Sequence, residues 1–72
     1  MISFGINFRH IISYTQESRN LNNIRILSKF GIRLFDIYGE PLPVSDVNRE
    51  LVTALKRQDI NTQRYILSHL QG

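Results

Sequence analysis

The chain has no cysteine and no tryptophan, only two prolines and four glycines, and no long apolar run. Without cysteine there is no disulfide and no Cys-based zinc site. The two histidines, His10 and His69, stand far apart and are too few for most other structural metal sites. No metal and no cofactor is therefore expected. The longest apolar runs, such as Tyr65-Ile66-Leu67, fall far short of the ~20 residues that a membrane-spanning helix needs. No basic region followed by an apolar run marks a signal peptide, and Ile2 occupies the place of the glycine of a myristoyl motif. A soluble, cytoplasmic protein without a membrane partner is the expectation.

What is present describes a small globular domain. The hydrophobic fraction is 42% and the charged fraction 21%, so the chain is not a disordered tail. Its 72 residues allow one domain, 1–72. A chain of this size buries only about 60% of the surface it exposes when unfolded. Such domains often add disulfides, a metal or a partner subunit. With the first two excluded, a core shared in a homodimer is the expectation.

Along the chain, Ile2, Phe4, Ile6 and Phe8 alternate with Ser3, Gly5, Asn7 and Arg9. Period two with bulky apolar residues predicts a half-buried strand. Ile12 and Tyr14 continue the even phase and Ile11 breaks it. Either the strand runs to about Thr15 with a bulge, or a helical turn begins near Phe8; the long strand is preferred on propensity. From Leu21 the spacing is helical, with Leu21, Ile24 and Leu27 joined by Ile26 and Phe30. Asn20 or Ser18 serves as N-cap. Lys29, Gly31 and Ile32 predict a Schellman stop, with Gly31 left-handed and Ile32 folding back onto Leu27. Ile32–Tyr38 is rich in strand formers, and Gly39-Glu40-Pro41-Leu42-Pro43 ends it. Ser45 or Asp46 caps a helix through about Arg57, with Val47, Leu51, Ala54 and Leu55 on one face. Asp59 or Asn61 caps a last helix with Ile60, Ile66, Leu67 and Leu70 as its stripe. The predicted fold is α+β: β-α-β over residues 1–38, then an α-α hairpin over 45–71. A two-stranded sheet is poorly stable alone, so its edge is expected to be completed by dimerisation.

The catalytic inventory is thin. There is no Cys nucleophile, no Gly-rich phosphate loop and no HExxH spacing. Lone histidines are more often surface residues than bases, and Asp36 and Glu40 around Tyr38 read more simply as solvated charges than as a paired carboxylate site. No enzyme is expected. Seven of the nine basic residues are arginine, a residue suited to bidentate phosphate or carboxylate contacts. Residues 1–36 carry five basic and two acidic side chains, and residues 37–72 carry four of each, so the net +3 lies wholly in the first part. Arg25 and Lys29 are one helical turn apart and Arg33 follows. The bland reading is a solvated helix face; the sharper one is a phosphate-binding surface. The last two helices resemble a DNA-reading helix-turn-helix only in outline, because Arg57-Gln58-Asp59-Ile60 has no glycine in the turn.

The leading expectation is a small intracellular non-enzymatic regulatory or adaptor protein acting on another protein. Phe35, Ile37 and Tyr38 on the second strand are the candidate protein interface. The alternative is a nucleic-acid-binding regulator using Arg25, Lys29, Arg33 and Arg64.

Overall fold

A computed structural model describes residues 8–71. They form α1(Phe8–Ser18), α2(Leu21–Lys29), α3(Val44–Arg57) and α4(Ile60–His69), with no strand among the described residues. The expected α+β architecture is thus corrected: the described residues form a compact all-α arrangement of four helices.

The first correction falls on residues 8–15. Phe8, Ile11, Ile12, Thr15 and Gln16 are the buried positions of α1. Their spacing is that of one helical face, so Ile11 belongs to the pattern it seemed to break. Residues 2–7 of the expected strand lie outside the described residues. The second strand, Ile32–Tyr38, is also replaced. Ile32 and Leu34 are buried, but they sit in irregular chain. The strand is cut short by a tight turn that leaves a single antiparallel bridge, Phe35 to Pro41. With no sheet among the described residues, there is no strand edge there for a second copy to complete.

Helix ends follow local chemistry closely. Asn20 caps α2, its side chain accepting from the Asn23 N–H at 3.0 Å. At the other end the Gly31 N–H donates to the Ser28 carbonyl and the Ile32 N–H to the Leu27 carbonyl, with Gly31 at φ +76°. These are the two bonds of the Schellman motif. Asp59 caps α4 through the Thr62 N–H at 2.7 Å. The start of α3 differs from expectation. Pro43 is its N-cap, with no side-chain cap, and neither Ser45 nor Asp46 holds that role. Asp46 lies within the first turn, where its charge suits the helix dipole.

α1 packs most extensively on α3 and also meets α2, while α4 lies against α2. The two C-terminal helices therefore do not form the expected hairpin with each other as main partners. Ile12, Leu27 and Leu55 are fully buried, with Val47, Leu51 and Ile66 close behind. The core thus draws on both sides of the Gly39–Pro43 loop. Leu21 and Ile60, expected in the apolar stripes, are exposed. Each is the first residue after a capping side chain, and the first buried residues, Asn23 and Gln63, come two and three positions later.

Four polar side chains complete the interior: Thr15, Gln16, Asn23 and Gln63. Asn23 donates to Thr15 Oγ1 at 2.8 Å and to the Gln71 carbonyl at 2.7 Å, and accepts from the Gln71 N–H at 2.8 Å. The Gln63 amide donates to the carbonyls of Leu55 and Gln58, closing the end of α3 from within α4. Among the described residues no buried side-chain polar atom lacks a partner.

Candidate functional site

The segment between α2 and α3 is a short hairpin over residues 34–42. Asp36 starts its turn and Gly39, at φ +79°, ends it. Asp36 Oδ1 accepts from the N–H groups of Tyr38 and Glu40, at 2.8 and 3.0 Å. The Gly39 N–H donates to the Asp36 carbonyl and the Asp36 N–H to the Glu40 carbonyl. This is a three-residue loop closed by a left-handed glycine. At its foot the Leu42 N–H donates to the Leu34 carbonyl.

Two side chains of α1 and its end hold the hairpin from outside. The buried Gln16 amide donates to the carbonyls of both Leu34 and Leu42, at 3.0 and 2.8 Å, tying the two arms together. Arg19 follows α1 in the left-handed region, at φ +50°. Its guanidinium donates to the Gly39 carbonyl at 3.1 Å and lies 4.6 Å from the centre of the Phe35 ring. The result is a fixed tip that presents Ile37 and Tyr38 at 82% and 83% exposure.

Beside the hairpin, two open concavities of about 250 and 300 Å3 share Arg49 and Glu50. Phe30, Gly31, Ile32, Thr53, Ala54 and Arg57 line the first. Arg33, Leu42, Asp46 and Val47 complete the second. Together they make a trough lined by Arg33, Arg49 and Arg57, by the carboxylates of Asp46 and Glu50, and by apolar groups. Arg49 pairs with Asp46 at 2.8 Å, an exposed ion pair of small energetic weight.

The residues singled out from sequence separate into three places. Ile37 and Tyr38 share the hairpin tip, while Phe35 lies half-buried at its base under Arg19. Arg25 and Lys29 are exposed on α2, Arg33 lines the trough, and Arg64 is exposed on α4. None of these four cations forms an ion pair among the described residues. His10 is exposed on α1. The His69 ring stacks on Tyr65 with centroids 4.2 Å apart. Among the described residues no three acidic or histidine side chains gather as a metal site. At the start of α4, the backbone N–H and then the hydroxyl of Thr62 hold the Asp59 carboxyl below the ordinary carboxylate value.

No family model, curated protein or solved structure matches the chain. The site therefore rests on its own geometry. Sequence reasoning did not single out Gln16, Arg19, Arg49 or Arg57. For Gln16 a signal existed, since it falls on the same helical face as Phe8 and Ile12. For the arginines there was none, because Arg19 meets the hairpin, and Arg49 and Arg57 meet residues 30–33, only in the folded chain.

Proposed function

We propose that the chain is a small non-enzymatic regulatory or adaptor protein that acts by protein–protein contact through the tip of the 34–42 hairpin. The supporting observation is the pairing of Ile37 and Tyr38, both more than four-fifths exposed, on a loop tied down by Gln16, Arg19 and Asp36. Leu21 and Ile60 are exposed too, one at the first position of α2 and the other at the first position of α4, while Ile37 and Tyr38 are adjacent on one loop. A pre-ordered apolar pair loses little conformational freedom on binding, and buried aromatic anchors carry much of the energy of protein interfaces.

The test is a photo-crosslinking phenylalanine derivative in place of Tyr38, used in the source cell with and without nuclease. It is expected to trap a protein in both cases. Against that purified protein, Ile37→Ser/Tyr38→Ser is expected to lower affinity at least about tenfold. An unchanged affinity, or capture that vanishes with nuclease, removes the reading.

A second reading draws on Arg25 and Lys29, exposed one turn apart on α2 without an ion pair among the described residues. Like charges at that spacing cost a few tenths of a kcal/mol unless an anion neutralises them. If they bind nucleic acid, Arg25→Ala/Lys29→Ala reduces the slope of log affinity against log salt by about two. Affinity independent of salt excludes this reading.

A further inference from the structure

We propose that the partner of the hairpin tip is a second copy of this chain, whose arginine-walled trough receives it. This rests on the reading of the tip as a binding surface, and it names the occupant.

The tip reads Asp36-Ile37-Tyr38-Gly39-Glu40, two exposed apolar side chains between two carboxylates. The trough carries a net positive charge: Arg33, Arg49 and Arg57 outnumber Asp46 and Glu50, and Phe30, Ile32 and Ala54 add apolar surface to its first concavity. That concavity, of about 250 Å3, is open to solvent and presents these apolar groups beside Arg49 and Arg57. Glu40 is exposed, and Asp36 uses only Oδ1 within the loop. Arg57 has no ion pair among the described residues, and Arg49 is held only by the exposed Asp46. Cations and carboxylates of the two surfaces are therefore open to each other.

The contact is intermolecular. Leu42, at the foot of the hairpin, itself lines the second concavity, and Gln16 pins that foot. The tip stands away in solvent and does not fill its own trough. Every copy carries both surfaces, and the proposed contact is the reciprocal exchange of tips, which closes as a two-fold dimer, whereas a one-way contact would extend into a longer chain of copies. A nucleic-acid strand suits the trough less well. Asp46 and Glu50 are part of its walls, and a polyphosphate presents charge at every nucleotide, whereas the tip places apolar groups between its two carboxylates.

Sedimentation equilibrium over low to high micromolar concentration tests the proposal. The mass is expected to rise from 8.4 kDa toward twice that value. Ile37→Ser/Tyr38→Ser and Thr53→Glu/Arg57→Glu are each expected to weaken association at least about tenfold. All four positions are exposed, and far-UV circular dichroism checks that the helices persist. Mixed in equal amounts, the two variants retain one intact tip and one intact trough. They are expected to form a 1:1 complex tighter than either variant alone and weaker than the wild type. A wild type that stays monomeric, a dimer indifferent to either variant, or a mixture that does not associate overturns the proposal. A monomeric wild type whose position-38 crosslink still traps a different protein overturns the self-association alone and leaves the tip as a binding surface.

Discussion

Asn23→Ala strikes the point where α1, α2 and the residue after α4's cap meet. The side chain is fully buried and makes four hydrogen bonds: a short one to Thr15, two short ones to the Gln71 backbone, and a longer one accepted from the Asn22 amide. A net bond of this kind is worth about 0.5–1.5 kcal/mol, and an orphaned buried partner costs more. Gln71 is exposed and regains water when the amide is removed, which places its two bonds at the low end. Thr15 is fully buried, but its hydroxyl still donates to the Ile11 carbonyl. The sum is a loss of roughly 2–3 kcal/mol, or a fall in Tm of about 10–20 °C for a domain of this size. Urea and thermal unfolding followed by circular dichroism measure it. Gln71→Pro deletes the N–H that Asn23 accepts, and Leu70 before it is already extended, as a residue preceding proline prefers. The double variant is expected to lose at least about 0.5 kcal/mol less than the two single losses added together. A single-variant loss below about 0.5 kcal/mol, or strict additivity, refutes the reasoning.

Two further outcomes follow from the helix ends. Arg19→Ala removes the guanidinium contacts to Gly39 and Phe35 and keeps the strain of φ +50°, whereas Arg19→Gly removes the contacts and relieves the strain. The glycine variant should be the more stable by about 1 kcal/mol in urea titrations, and the opposite order would show that the backbone there is unstrained. Asp59 has its pKa lowered on folding from the ordinary 3.8. Its contribution is therefore complete above that value and lost as pH falls through the lowered one. Asp59→Asn keeps a capping oxygen and does not titrate. Urea unfolding across the acid range should show the wild type losing its advantage over this variant as pH falls. A difference that does not change with pH contradicts the assignment.

Where structure is decided within one turn of chain, the residues announce it. Asn20 before α2, Gly31 and Ile32 after it, and Asp59 before α4 each act through bonds to residues at most five away. The apolar face of α3 was equally plain in Val47, Leu51 and Leu55. The first helix was hidden because alternation over residues 2–8 carried its phase forward past Ile11. The second strand failed for a different reason. Ile32–Tyr38 has strand composition, but Asp36 and Gly39 supply turn chemistry in its midst, and the turn prevails. Asn23 and Gln63 were illegible because polarity ranks them as surface residues, and only tertiary partners reveal them as interior. Of the candidate interface, Ile37 and Tyr38 do come together at one exposed tip, though on a turn and not a strand. The trough arose from residues brought together only by the fold.

The Gln63 amide that closes the end of α3 has a kinetic consequence. Carbonyls of the last turn of one helix are satisfied by a side chain of the next. When α4 detaches, the Leu55 carbonyl keeps only the Gln58 N–H and the Gln58 carbonyl loses the Gln63 amide, so the last turn of α3 is weakened by the same event. The chain from Leu55 to Ile66 thus behaves as one cooperative opening unit, with its slowest amide hydrogens exchanging together.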